Sequence, residues 1–148
     1  MIQKAEWRQI LLKRRKEVSA ERRTEASLLL REKVKPLGRI LSFTTIGSEV
    51  DTKPLNDHLL SEGRLKLVPY TVESLFQVPL EEIDCILVPG LGFDKENYRL
   101  GYGKGFYDQF LAKATHILTI GVGFKEQLSE EPLPRDPWDI PVQELLLV

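Results

Sequence analysis

The chain has 148 residues, 42% hydrophobic and 29% charged, with a net charge of −1, which fits one soluble domain with its own core and excludes a collagenous, low-complexity or broadly basic nucleic-acid-binding protein. A single cysteine excludes an intramolecular disulfide or a cysteine-based zinc site. No apolar run reaches the roughly 18 residues of a membrane span, and the charged start Lys4-Ala-Glu-Trp-Arg8 lacks the apolar region of a signal peptide, so a cytoplasmic location is expected. Charge is unevenly divided: residues 1–39 carry 12 Lys and Arg against 5 Asp and Glu, a net of +7. The N-terminal part can therefore attract an anion, although Lys13-Arg-Arg-Lys16 also reads as a solvated helix face.

Ile2 to Glu17 reads as an amphipathic helix in which Lys4 and Arg8, at i and i+4, project from one face. Ser19 is the N-cap of a second helix running to about Lys35, with Leu28 to Leu30 and Val34 as its buried side. Arg39 to Phe43 is a strand. Thr52 to Gly63, with a cap, an early proline and a terminal glycine, is a short helix, and Leu65 to Pro69 is a second strand. Tyr70 to Leu80 carries little signal, and Leu80 to Ile83 allows one helical turn. Asp84 to Val88, around the buried Cys85, is an apolar run of the kind a doubly covered parallel strand shows. A glycine-rich loop then leads into a helix from about Gly105 to Lys113. Ile117 to Val122 is a strand, Glu126 to Leu128 a short helical turn, the proline-rich stretch after it is irregular, and Glu144 to Val148 closes the chain as a strand. Strands alternating with helices predict an α/β fold over residues 1–148, a three-layer α/β/α arrangement with a mostly parallel central sheet. Ligands in such folds collect beyond the C-terminal strand ends, where the loop after Val88 lies.

That loop carries the densest chemistry. Gly101-Tyr-Gly-Lys-Gly105 matches neither the P-loop nor the dinucleotide fingerprint. Its flexible N–H groups can still surround phosphate oxygens, with the following helix N-terminus adding positive potential. Equally, its glycines can serve only to turn the chain. Arg99 and Lys104 bring charge, while Asp108 either complements the helix dipole or carries Mg²⁺ with phosphate oxygens. Tyr102, Phe106 and Tyr107 offer aromatic faces. His58 and His116 form no metal-ligand pair.

Leu87-Val-Pro-Gly-Leu-Gly-Phe-Asp-Lys-Glu-Asn-Tyr-Arg-Leu-Gly-Tyr-Gly-Lys-Gly-Phe-Tyr-Asp108 closely resembles the signature of the 5-formyltetrahydrofolate cyclo-ligase (5,10-methenyltetrahydrofolate synthetase) family. Lys4-x-x-x-Arg8, Glu49-Val-Asp-Thr52, Ile120-Gly-Val-Gly-Phe-x-x-Gln-Leu128 and Pro134-x-x-x-x-Asp-Ile-Pro-Val142 extend the resemblance in collinear order. It implies closure of 5-formyltetrahydrofolate to 5,10-methenyltetrahydrofolate with ATP and Mg²⁺, by a monomer that needs neither nucleic acid nor membrane. By matching position, Lys4, Arg8 and the loop Arg99, Leu100, Gly101, Tyr102, Gly103, Lys104, Gly105, Phe106 and Tyr107 bind ATP, with Lys104 and Arg99 as the catalytic cations. Asp108 and Asp139 hold Mg²⁺. Glu49 meets the folate with Gly103, Lys104, Gly105 and Phe106.

Two departures stand out. The connection from Pro69 to Asp84 is short and lacks the family's Gly-x-x-Glu-Pro element, and Tyr102 and Phe106 replace residues that are often Arg and Tyr. They leave two alternatives: a relative that binds nucleotide or folate without closing the ring, and an RNA-binding or interaction module built on the basic N-terminal helices, including Arg14 and Arg15.

Overall fold

The computed structural model describes residues 2–68, 77–102 and 106–148, without the side chain of Phe106. Four helices are described: α1 (Lys4–Lys16), α2 (Ala20–Val34), α3 (Lys53–Ser61) and α4 (Phe106–Lys113). Strands β1 (Ile40–Ser42), β2 (Leu65–Leu67), β3 (Cys85–Val88), β6 (Leu118–Gly123) and β8 (Glu144–Leu147) form the central sheet in the order β2-β1-β3-β6-β8. Every pairing in it is parallel.

Alternation along the strands builds the three layers. Ile40, Cys85, Leu87, Ile120 and Val122 face one way, onto Ala26, Leu30 and Val34 of α2 and Leu55 and Leu59 of α3. Leu41, Ile86 and Val88 face the other way, onto Phe110 and Leu111 of α4 with Val142. Cys85 is fully buried, and the desolvation pushes its thiol up to about 12, so it behaves as a small hydrophobe. Ser19 accepts the Arg22 N–H at 3.2 Å and caps α2 as its sequence predicts.

Four expectations need correction. Leu28 and Leu29 are each 41% exposed, because on α2 only Leu30 lies in line with Ala26 and Val34. Thr52 does not cap α3 through its side chain. Its hydroxyl donates to the Phe43 carbonyl at 2.7 Å instead. The stretch after Val88 is not a continuous loop: β4 (Gly92–Asp94) and β5 (Arg99–Leu100) form an antiparallel hairpin, and β7 (Leu128–Ser129) joins β4 in parallel to make a second, three-stranded sheet. Finally, Lys13, Arg14 and Lys16 are exposed, but Arg15 is only 1% exposed and is no part of a solvated basic face. The weak stretch from Tyr70 falls largely outside the described residues.

The second sheet seats α1. Trp7 and Leu11 pack with Leu91, Leu100 and Leu133 in a third apolar cluster. The contact at Gly92 is so close that a Cβ there would lie 2.5 Å from a Leu11 methyl, which requires glycine.

Candidate active site

Strand order reverses between β1 and β3, since the chain runs from β1 to β2 on one side and then crosses to β3 on the other. The crevice beyond the C-terminal ends of these two strands is the expected ligand position in an open parallel sheet. The segment after β1 contributes Ser48 and Glu49, and the segment after β3 contributes Pro89 and Gly90. A cleft of about 390 Å³ opens beside the first of these, with Thr44, Asp51, Asn56, Leu60 and Leu67 among its walls.

Helix α1 lays a stripe across this crevice. Lys4, Arg8, Leu11 and Arg15 recur at helical spacing on one face. Arg8 Nε donates to the Gly101 carbonyl at 2.9 Å, which ties the helix to the start of the glycine-rich segment. Lys4 Nζ donates to Asp139 at 2.8 Å and to Asp136 at 2.7 Å. Partial burial works against the Lys4 charge, but hydrogen bonds and attraction from both aspartates outweigh it and hold its pKa above the ordinary lysine value.

Arg99, on β5, stands among the opposite charges. Its Nε donates to the Pro89 carbonyl at 3.0 Å and its guanidinium lies 5.2 Å from the centre of the Tyr107 ring. Burial lowers its pKa, whereas Asp108, Tyr107, Asp139 and Glu49 act in the opposite direction. An arginine so surrounded stays cationic. The folded-back guanidinium occupies the space where a Cβ on Gly101 would sit, 2.5 Å from Nη2, so this glycine makes room for Arg99. Burial likewise pushes the Tyr107 phenol up, against the pull of Arg99. Leu100 is 2% exposed and points into the α1 cluster, so any ligand contact it makes is through its backbone. Tyr102 is 57% exposed. The predicted residues Gly103, Lys104 and Gly105, and the Phe106 side chain, lie outside the described residues.

Glu49 is 8% exposed, and its Oε1 accepts the Ile46 N–H at 2.8 Å. Desolvation pushes its carboxyl above the ordinary value despite that hydrogen bond and the nearby charges of Arg15 and Arg99. The segments that carry the two predicted metal ligands are joined by one hydrogen bond: Asp108 Oδ1 accepts the N–H of Ile140, the residue after Asp139, at 3.3 Å. Among the described residues no three His, Cys, Asp or Glu side chains converge on one point. Two carboxylates with solvent and phosphate oxygens are the donor set magnesium usually takes, so the pair fits that ion, with Lys4 as the present counter-ion of Asp139.

Three further positioning residues lie outside the roles read from the sequence, although Asp94 and Gln127 fall within the family motifs and Arg15 shares the helical spacing of Lys4, Arg8 and Leu11. Asp94 is 1% exposed: Oδ1 accepts the N–H groups of Glu96 and Tyr98, and Oδ2 accepts that of Leu133 and an Arg135 N–H. It joins the β4–β5 hairpin to the segment leading to Asp136 and Asp139. Gln127, 1% exposed, donates to the carbonyls of Gly90 and Leu91 and fixes the turn after β3. Arg15 donates to Gly90, Ser48 and Tyr102. His58 pairs with Glu62 on α3 and His116 is exposed, so both are structural or surface residues.

Residues 71–148 match the model of the 5-formyltetrahydrofolate cyclo-ligase family. A 5-formyltetrahydrofolate cyclo-ligase of Mus musculus is 31% identical over 181 aligned positions, covering 92% of this chain and 89% of that protein. The alignment is longer than this chain, so the mouse protein has stretches without a counterpart here. The cyclo-ligase of Mycoplasma pneumoniae is 45% identical over 60 residues, 40% of this chain and 35% of that one, so this match spans about a third of the relative. A solved 5,10-methenyltetrahydrofolate synthetase structure from Aquifex aeolicus superposes with a TM-score of 0.76 at 31% identity, covering 96% of this chain and 88% of its own. A second, from Mycoplasma pneumoniae, has a TM-score of 0.77 at 24% identity and shares the fold over 97% of this chain and 98% of its own. On this sequence and structural evidence the chain belongs to the 5-formyltetrahydrofolate cyclo-ligase family.

Proposed function

We propose that this protein converts 5-formyltetrahydrofolate to 5,10-methenyltetrahydrofolate, with ATP cleaved to ADP and phosphate. The observation that carries the reading is the convergence at the β1/β3 crevice: α1 brings Lys4 to Asp139 and Arg8 to Gly101, while Arg99 is held among Asp108, Asp139 and Glu49.

The formamide oxygen of the substrate is a poor leaving group. Transfer of the γ-phosphoryl group to that oxygen makes it a good one, and the neighbouring N10 attacks the formyl carbon. The C–O bond to phosphate breaks as the ring closes, and the N10 proton passes to solvent or a nearby base. This chemistry needs positioned reactants and neutralised phosphate charge more than a protein nucleophile. Arg8 and Arg99, with Lys104 by its place in the signature, supply the positive charge, and Lys4 adds to it beside Asp139. When bound, Mg²⁺ screens the phosphate oxygens, and Asp108 and Asp139 are the residues to hold it. Glu49, which interacts electrostatically with Arg99, orients the folate.

The test is the appearance of methenyl absorbance when folded protein is mixed with 5-formyltetrahydrofolate and Mg·ATP. Absence of product at high protein concentration overturns the activity. Lys104→Ala and Asp108→Ala should both lose turnover while the fold is kept, and normal rates in the two would remove the phosphate-side assignment. The stretches of the mouse relative that lack a counterpart favour one second reading, a protein that holds nucleotide or folate without closing the ring. Calorimetric binding without product would establish it.

A further inference from the structure

Arg15 is the buried cation that the proposed chemistry does not use. A buried arginine is costly unless each of its donors finds an acceptor, and a well-packed apolar side chain usually serves stability as well or better. Here every guanidinium nitrogen reaches a different segment. Nε donates to Ser48 Oγ at 2.9 Å, Nη1 to the Gly90 carbonyl at 3.2 Å, and Nη2 to the Tyr102 hydroxyl. Ser48 and Gly90 flank the crevice where the strand order reverses, and Ser48 precedes Glu49. Tyr102 follows Gly101, whose carbonyl already accepts Arg8. Two consecutive residues at the entrance of the glycine-rich segment are thus fastened to one helix, the first by its backbone and the second by its side chain. Tyr102 is 57% exposed, so the core gains little from it, and Arg15 holds it through the hydroxyl and through a guanidinium 5.8 Å from the ring centre.

We infer that Arg15 is a positioning residue for nucleotide binding, fixing the entrance of the glycine-rich segment to both walls of the crevice through Tyr102, Ser48 and Gly90. It extends the Lys4, Arg8 stripe of α1 by two further turns and acts through Tyr102, without a place of its own on the phosphates. The planar fork sets three divergent directions at once, which a lysine ammonium cannot reproduce. This inference rests on the ATP reading above.

The experiment is calorimetric titration with a non-hydrolysable ATP analogue and Mg²⁺, performed on wild type, Tyr102→Phe, Arg15→Lys and the double variant, alongside thermal unfolding and titration with 5-formyltetrahydrofolate. Tyr102→Phe removes one hydroxyl at an exposed position, so its melting temperature should match wild type. Its Kd for the nucleotide should rise about tenfold, the equivalent of about 1.4 kcal/mol, while its folate affinity stays within about twofold. Arg15→Lys should lose at least as much nucleotide affinity, and adding Tyr102→Phe to it should cost little more, because both remove the same link. Unchanged nucleotide affinity in Tyr102→Phe, equal loss for both ligands, or multiplying losses in the double variant would overturn the inference. Should Arg15→Lys fail to fold, Tyr102→Phe decides alone. A wild type that binds no nucleotide would instead sink the ATP reading, and this inference with it.

Discussion

Replacing Gly92 with alanine tests whether the seat of α1 is set by contact. The added Cβ would lie 2.5 and 2.8 Å from the two methyls of Leu11 and 3.0 Å from the Gln127 carbonyl oxygen. Leu11 is fully buried and the Gln127 side chain is bonded to Gly90 and Leu91, so neither neighbour has free space to retreat. Overpacking of this kind costs typically about 1–3 kcal/mol. At the midpoint of that range the melting temperature should fall by roughly 4–8 °C for a domain of this size. The clash is mainly with one side chain, so Leu11→Ala should relieve it. Leu11→Ala alone should lose about 2–5 kcal/mol, yet Gly92→Ala in that background should cost less than about 1 kcal/mol, giving a coupling within the range seen for contacting residues. Urea unfolding of the four proteins measures the cycle. A Gly92→Ala loss below about 0.5 kcal/mol, a size ordinary for an unconstrained surface site, or a loss unchanged by Leu11→Ala, would refute the close-packed helix seat.

Asp94→Asn should destabilise by about 3 kcal/mol in urea unfolding, since it breaks a buried hydrogen-bonded charge and turns an amide donor toward backbone donors. Glu49 has a folded pKa raised above 4.5 by burial, so the native state binds more protons than the unfolded chain between that value and the raised one. Stability therefore falls as pH rises through this window and the deficit persists above it. Glu49→Gln should then be more stable than wild type at neutral pH and no different below the window, as seen by chemical unfolding at several pH values, while its folate affinity drops. Ser19→Ala should cost about 1 kcal/mol by removing the α2 cap. Lys4→Met removes both a proposed phosphate-side cation and the counter-ion of Asp139. It should weaken nucleotide binding about tenfold, while Mg²⁺ alone binds more tightly by calorimetry, in line with unit charges a few ångströms apart at intermediate dielectric.

The layers and the parallel sheet were legible because the central strand β3 is a continuous apolar run, Ser19 caps α2, and glycine and proline punctuate the helices. What the sequence concealed has local causes. Strands β4 and β5 are three and two residues long, too short to show a period of two, and their hairpin depends on Asn97 at φ +68° and on the Asp94 carboxylate bridging Glu96 and Tyr98. Leu28 to Leu30 form an apolar run, but a helix turns by about 100° per residue and cannot bury three neighbours on one side. Arg15 sat inside a run of four cations, where composition favours solvent. The spacing 4, 8, 11, 15 would have singled it out, because Leu11 marks that stripe as inward-facing and the residue four places on shares its direction.

The same reasoning explains why the proposed cation-and-carboxylate site draws on the two ends of the chain and not on its loop alone. Gly101 and Tyr102, where the glycine-rich segment begins, are held by neighbours with rigid seats. The second sheet provides them: β4 and β5 hold Arg99 and offer Gly92 to Leu11, β7 follows Gln127, and Asp94 fixes the chain at Leu133 on the way to Asp139. Docked on that platform through Trp7 and Leu11, α1 delivers Lys4, Arg8 and Arg15 together. The three cations are therefore coupled through the helix that carries them. A change in how Leu11 meets Gly92 should reach the proposed phosphate side of the site through α1.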